Sequence, residues 1–282
     1  MPELPEVEVL ARHLAPLLRG KTIRAVHVLR SKVIRPTSVK KLEKSLIGAK
    51  FTSLHRRGKY LLFELQRSNA GQIACLGHLG MTGRMFLQPK AAPLPKHTAL
   101  VLDLGRLNFV YEDTRYFGRF TLDNASVEAL GPEPLSEAFD ADSFALELKR
   151  SAQPIKVKLL DQGLVAGIGN IYASEALFRA RISPRRKARS LKRDEVQRLH
   201  REIRVVLQEA IDCGSTIPLD FAGEASKDRL FYFGTSAESS QFYEERLQVY
   251  DRDGKPCVTC KFAVKRIVQA ARSTFYCPKC QR

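Results

Sequence analysis

Cys257-Val-Thr-Cys260 and Cys277-Pro-Lys-Cys280 stand near the end of the chain, two C-x-x-C pairs with sixteen residues between them. Each pair delivers two thiolates from one tight turn, and four thiolates complete a tetrahedral site for one structural Zn2+. Such a site keeps all four positions closed, so it folds chain and performs no chemistry. The span between the pairs carries Lys261, Lys265, Arg266 and Arg272. It is expected to form a hairpin that displays cations. A redox pair is the other reading of C-x-x-C, and two matched pairs argue against it.

The charge says what such a hairpin would meet. Among 282 residues, 47 are basic and 30 acidic, a formal charge of +17. That balance points to a polyanion and a DNA-binding role. The plain alternative is a basic soluble protein with no such partner. Hydrophobic residues make up 44%, which excludes wholesale disorder. No apolar run is long enough to span a bilayer. Acidic Glu3, Glu6 and Glu8 occupy the place of a basic secretion-signal segment. A cytosolic, reducing setting is therefore expected, where paired cysteines mean metal. Cys75 and Cys213 read as ordinary buried thiols.

Two different periods run through the chain. Residues 5 to 18 suit a helix, with Pro5 in its first turn and Val7, Leu10, Leu14 and Leu17 on one stripe. Short β-forming runs follow at Ile23 to Val28, around Phe51, at Tyr60 to Phe63, Gln72 to Leu76, Ala99 to Leu104 and Asn108 to Tyr111. Residues 1–130 thus read as a β-rich domain with an N-terminal helix. Gly131-Pro132-Glu133-Pro134 is turn chemistry and marks a boundary. Beyond it, Phe144, Leu146 and Leu148 begin one helix. Another spans about Leu191 to Asp212, with Gly214 placed to stop it. Residues 214 to 245 show no period and read as loop.

The N-terminus carries a second chemical possibility. It reads Met1-Pro2-Glu3-Leu4-Pro5-Glu6-Val7-Glu8. Removal of Met1 would leave Pro2 as a free secondary amine. An α-amino group titrates near ~8, well below a lysine at ~10.4, so more of it is nucleophilic at neutral pH. Attack on a sugar C1′ would give an iminium, with Glu3 beside it as a general acid. The same residues also suit an acidic helix start.

Five segments in order resemble the formamidopyrimidine-DNA glycosylase family. They are the opening octapeptide, Arg57-Gly58-Lys59-Tyr60-Leu61, His78-Leu79-Gly80-Met81-Thr82-Gly83, Gly167 through Glu175 (Gly-Ile-Gly-Asn-Ile-Tyr-Ala-Ser-Glu), and the cysteine module. The resemblance implies an α+β fold: an N-terminal β-sandwich with flanking helices (1–130), a helix-two-turn-helix domain (131–245) and a C-terminal zinc-finger β-hairpin (246–282). It implies excision of oxidised purines from double-stranded DNA, then strand nicking, by a monomer in the bacterial cytosol. Pro2 would be the Schiff-base nucleophile and Glu3 the proton donor. Lys59 would assist β-elimination and Arg272 δ-elimination. Lys156 and Asn170 would hold backbone phosphates, and His97 and Arg115 would also touch DNA. Met81, Arg115 and Phe117 would fill the stack vacated by the extruded base. Cys257, Cys260, Cys277 and Cys280 would hold the zinc.

Two departures stand out. Position 116 is Tyr, where the family usually has a second basic residue, which removes one expected contact. The base-recognition loop falls at Phe221 to Glu244, and here it is longer with an altered pattern. Three alternatives compete with the main reading. An endonuclease VIII-like enzyme would prefer oxidised pyrimidines, but that type usually carries Gly at position 4. A catalytically silent DNA-damage binder would need loss of Pro2, Glu3 or Lys59. A zinc-ribbon RNA-binding protein leaves the opening octapeptide unexplained.

Overall fold

The computed structural model describes residues 2–67, 71–214 and 246–282. Helix α1 (Leu4–Leu18) opens the fold with Pro5 in its first turn. Its buried stripe is Val7, Leu10, Leu14 and Leu18, stepping by three and four residues. The expected last member, Leu17, is one position off that stripe and only half-buried.

Two four-stranded antiparallel sheets follow. One is ordered β1 (Ala25–Val28), β6 (Thr98–Asp103), β7 (Leu107–Asp113), β5 (Gly83–Pro89). The other is ordered β2 (Lys50–Arg57), β3 (Tyr60–Arg67), β4 (Gly71–His78), β8 (Arg119–Thr121). Side chains of both sheets join one core. Phe63 of β3 meets Phe109 of β7 edge-on at 5.6 Å, and Phe109 meets Phe120 of β8 at 5.9 Å. The shared aromatic layer makes the pair a sandwich. β5, β8 and the helix α2 (Val39–Leu46) were not expected from sequence. The helix nonetheless has its signals: Ser38 caps it by accepting from Lys41 N, and Leu42 and Leu46 are buried one turn apart.

The described residues form two compact units. The first holds Pro2 and Glu6–Glu128, which includes the sandwich and ends in the short helix α3 (Ala125–Glu128). The second holds Glu3–Pro5 and the described residues from Ala129 onward. Its helices are α4 (Ala141–Lys149), α5 (Ile155–Lys158), α6 (Asn170–Arg179) and α7 (Arg193–Asp212). Leu4 packs into this helical core. In α4, Phe144 and Leu148 are buried, but Leu146 is 62% exposed. Residues two apart on a helix cannot share a face, so Leu146 falls off the expected stripe. Gly214 follows α7 at φ +82, the left-handed stop that glycine allows. The segment expected to be loop falls at 215–245, outside the described residues.

The second unit ends in the hairpin β9 (Lys265–Gln269) and β10 (Arg272–Tyr276). Gln269 pairs with Arg272, so the turn has two residues, Ala270 and Ala271, both at positive φ. That is the twist a tight hairpin needs, here taken by alanines at some strain. Phe178, Val249, Val264 and Phe275 form the small core beneath it.

Candidate functional site

The second unit contains an anion seat. The N–H groups of an α-helix's first turn have no partner within the helix and carry partial positive charge. At the start of α6 the Glu3 carboxylate fills this role. Its Oε2 accepts from Gly169 N at 2.8 Å and Tyr172 N at 3.4 Å, and its Oε1 accepts from Ile171 N at 2.9 Å. Gly169 has ordinary extended backbone, but a Cβ there would lie 2.3 Å from Glu3 Cδ. Gly167, at φ +84, leaves a similar gap for Leu4, whose N–H donates to the Gly167 carbonyl at 3.0 Å. The two glycines of Gly167-Ile-Gly169-Asn170 therefore admit the N-terminal segment to the helix start. Both Glu3 oxygens act as acceptors here.

Around this seat lie three more predicted site residues. Lys156 is buried, and its Nζ donates to Asn170 Oδ1 at 2.5 Å. Burial pulls its pKa down to about 8. The Glu3 charge opposes that fall and the Arg272 charge adds to it. Asn170 Nδ2 donates to the Ser273 carbonyl at 2.8 Å. The chain Lys156–Asn170–Ser273 thus joins α5, α6 and the hairpin strand that begins with exposed Arg272. Glu3, Lys156, Asn170 and Arg272 form one electrostatic group.

Two residues beyond the predicted set belong with it. Tyr250 hydrogen-bonds the Asn170 side chain, and burial raises its phenol pKa. Glu175, fully buried on α6, accepts from the N–H groups of Gln248, Val249 and Tyr250 at 2.9, 2.9 and 2.8 Å. Burial pushes its pKa up against those bonds. It holds the Tyr250 segment to the helix. No local pattern marks Tyr250 in the sequence. Glu175 lies inside a recognised motif, but its donors come from a segment more than seventy residues away.

The four cysteines converge as their spacing required. Their sulfur atoms all lie within 4.8 Å of one another, with Cys257 to Cys280 at 3.9 Å and Cys260 to Cys277 at 3.4 Å. A tetrahedron with metal–sulfur bonds of ~2.3 Å has edges of about 3.8 Å, so the thiols present fit one zinc ion. Lys261, Lys265 and Arg266, in the span between the cysteine pairs, are exposed, as expected. The other two cysteines differ. Cys75 is buried in the sandwich core, where desolvation raises its thiol pKa. Cys213 is only half-buried. It ends α7, and its sulfur contacts the Arg246 guanidinium at 3.0 Å.

The first unit carries the remaining candidates. Met81, Arg115 and Phe117 come together at the tips of two neighbouring loops. Arg115 Nη1 lies 3.1 Å from Met81 Sδ, and its guanidinium carbon 4.7 Å from the centre of the Phe117 ring. Met81 and Phe117 are 46% and 48% exposed, unusual for large apolar side chains on a folded surface. The loops can approach because Gly80 and Gly118 face each other. A Cβ on Gly80 would meet Gly118 N at 2.6 Å, and one on Gly118 would meet Tyr111 Oη at 1.9 Å. Buried Asp113 fixes the tips. It accepts from Arg115 N at 3.1 Å, Gly118 N at 2.9 Å and the Thr82 hydroxyl at 2.6 Å. Half-exposed His97 is tied to the same place, its carbonyl accepting from Asp113 N at 3.1 Å.

Lys59 occupies the turn between β2 and β3, after Gly58 at φ +56, and is largely buried. It influences His78, whose pKa falls to about 4. Burial is the main cause, and the charges of Lys59 and Arg119 add to it. His78 is therefore neutral near pH 7, its Nδ1 accepting from Gly80 N at 3.2 Å. Arg56 is mostly buried and paired with Glu8 at 2.7 Å. Pro2 is half-buried.

Three family models match the chain. The formamidopyrimidine-DNA glycosylase N-terminal domain covers residues 1–120, the formamidopyrimidine-DNA glycosylase H2TH domain 130–220, and a zinc finger found in FPG and IleRS 254–282. Among curated relatives, the formamidopyrimidine-DNA glycosylase of Carboxydothermus hydrogenoformans is 40% identical over 283 residues, covering all of both chains. That of Thermus thermophilus is 41% identical over 288 residues, covering all of this chain and 98% of the relative. Among solved structures, MutM in complex with DNA containing carbocyclic 8-oxo-G aligns over both whole chains with a TM-score of 0.86 at 34% identity. Lactococcus lactis Fpg with DNA containing N7-benzyl-Fapy-dG aligns over both whole chains with a TM-score of 0.87 at 33% identity. With sandwich, helical unit and four-cysteine hairpin all matched in order, this chain belongs to the formamidopyrimidine-DNA glycosylase family.

Proposed function

We propose that this protein removes oxidised purines, 8-oxoguanine and formamidopyrimidines, from double-stranded DNA in base-excision repair and then cleaves the abasic strand. The observation that carries this reading is the seat of Glu3. A carboxylate next to the N-terminal proline is locked onto a helix start, beside Lys156, Asn170 and Arg272.

The proposed chemistry begins after removal of Met1. The Pro2 nitrogen attacks C1′ as the bond from C1′ to the base breaks, and the base leaves with its electron pair. A proton from Glu3 to the sugar ring oxygen opens the ring and leaves a C1′ iminium. Loss of a C2′ proton, assisted by Lys59, lets the C3′–O3′ bond break in β-elimination. A second elimination, with loss of the C4′ proton and Arg272 as donor to O5′, breaks C5′–O5′, and water then hydrolyses the iminium to free Pro2. Pro2, not water, is the nucleophile that displaces the base. The zinc, held by Cys257, Cys260, Cys277 and Cys280, supplies folding energy to the hairpin that carries Arg272 and no catalytic step. Lys156 and Asn170 bind phosphates near the lesion, and His97 and Arg115 contact DNA. Met81, Arg115 and Phe117 fill the gap left by the extruded base. Three domains carry the work: residues 1–130, 131–245 and 246–282. The active form is a monomer in the bacterial cytosol.

The test is borohydride trapping on duplexes bearing 8-oxoguanine, an oxidised pyrimidine or an abasic site. An adduct on 8-oxoguanine DNA that vanishes in Pro2→Gly supports the proposal. No adduct on any duplex overturns it, and an adduct mainly on the pyrimidine lesion favours the endonuclease VIII-like reading. Intact mass spectrometry of the purified chain checks that Met1 is absent.

A further inference from the structure

The wedge formed by Met81, Arg115 and Phe117 has two further cations beside it. Both come from the segment after β1. Arg30 Nε donates to the Tyr116 hydroxyl at 3.3 Å, and its guanidinium carbon lies 5.6 Å from the centre of the Tyr116 ring. Lys32 Nζ lies 5.3 Å from the centre of the Phe117 ring. The segment is firmly based. Leu29 N and Arg30 N both donate to the Ala99 carbonyl, and Val33 and Ile34 are buried in the sandwich core. Further on, the Thr37 hydroxyl pairs with that of Thr121 at 2.8 Å.

Arg30, Lys32 and Arg115 thus share one exposed patch around two rings, and among the described residues none of them pairs with a carboxylate. Elsewhere arginines of this chain do find one, as Arg56 finds Glu8, Arg84 finds Glu112 and Arg186 finds Glu195. Gathering three like charges without a counter-ion is unfavourable unless an anion arrives. Arg30 spends two of its five N–H groups, one on Tyr116 and one on the Leu29 carbonyl. The rest are available. Position 116 is also where a basic side chain was expected and a tyrosine stands, at φ +53.

Resting on the DNA-repair reading above, we propose that Arg30 and Lys32 form a phosphate clamp beside the wedge, with the Tyr116 phenol orienting Arg30. The cation absent from position 116 is thereby supplied from another loop. The ligand is the DNA backbone, whether of the lesion strand or its complement.

The test is equilibrium binding of the intact zinc-loaded protein to a duplex with an uncleavable abasic analogue, across a salt series. The wild type must bind with a steep slope. A wild type that fails to bind overturns the DNA reading itself. In Arg30→Ala/Lys32→Ala the slope of log K against log salt falls by about two, at ~0.9 per lost phosphate contact. The wild-type advantage therefore shrinks about twelvefold between roughly 50 and 200 mM salt. Arg30→Ala/Tyr116→Arg recovers about one slope unit over Arg30→Ala, a rescue that lost packing would not produce. Neutral methylphosphonates placed in one strand at a time abolish the difference between wild type and double variant in the contacted strand. A double variant with unchanged slope, or a slope change unaffected by methylphosphonates in either strand, overturns the clamp.

Discussion

Gly169→Ala isolates the seat of Glu3 with one methyl group. The backbone there has φ −131 and ψ −154, which any residue adopts, so the cost is steric. The new Cβ would lie 2.3 Å from Glu3 Cδ and 2.4 Å from Oε1. Carbon atoms in comfortable contact are ~3.5 Å apart, so the carboxylate must retreat by about 1.2 Å. That displacement breaks the 2.8 Å bond from Gly169 N and strains those from Ile171 and Tyr172. Hydrogen bonds to a charged group contribute roughly 1.5–3 kcal/mol each. Loss of one or two costs about 1.5–6 kcal/mol, and Tm falls by about 3–24 °C at ~2–4 °C per kcal/mol. A displacement of ~1 Å in a reacting group slows catalysis about a hundredfold. The assays are single-turnover excision of 8-oxoguanine and thermal unfolding. The decisive variant is Glu3→Ala/Gly169→Ala, in which the methyl has nothing to strike. It should be more stable than the sum of the two single changes. Wild-type Tm and rate in Gly169→Ala, or strict additivity in the pair, would refute the steric account.

Three other outcomes are expected. Stripping zinc with a chelator should weaken DNA binding and the final elimination, because Arg272 and the Asn170 partner Ser273 lie on the same strand; retained binding after complete zinc loss, measured by metal analysis, would count against this. Lys156 titrates at about 8 in the folded chain and at ~10.4 when unfolded. The unfolded chain binds more protons between those values, so this group's contribution to stability is least below pH 8 and rises as pH climbs toward 10.4. Its charge is lost over the same climb, so DNA affinity should fall above about pH 8, while Lys156→Arg, always charged, should flatten that fall in a pH series of binding curves. Glu175→Ala leaves three N–H groups, one buried and two part-buried, without their acceptor at up to ~1–3 kcal/mol each, and thermal unfolding should rank wild type above Glu175→Gln and Glu175→Gln above Glu175→Ala.

Much of the molecule was legible where one local rule sufficed. The cysteine spacing gave the metal-binding hairpin because two tight turns leave four thiols few other arrangements. Val7, Leu10 and Leu14 gave α1 because the period is strict, and the short β-forming runs gave six of the strands. Arg115-Tyr116-Phe117 sits between Glu112-Asp113-Thr114 and Gly118, turn-forming residues that mark a loop tip. The limits were equally physical. β5 carries Met85 and Phe86 side by side, both buried, which blurs the alternation of a strand. Leu146 looked like a core residue, yet a two-residue step on a helix points it at water. Tyr250 and Glu175 form their contacts across long stretches of chain, so no window of sequence contains them. Lys59, at the β2–β3 turn, gave no sign in its local sequence of its burial, or of its effect on His78.

The anchoring of Glu3 and Leu4 to the start of α6 has a consequence for the residue before them. Pro2 is one peptide unit from a carboxylate held by three hydrogen bonds, so its nitrogen swings on a leash about 3.8 Å long. In the proposed mechanism that nitrogen is the nucleophile, and confinement to so small a volume gives it a high effective molarity toward a sugar bound within reach. One residue inserted between Pro2 and Glu3 would leave the amine's chemistry intact and double the leash, diluting it severalfold. In the proposed mechanism the single peptide link between Pro2 and the fastened Glu3 is thus itself a kinetic device.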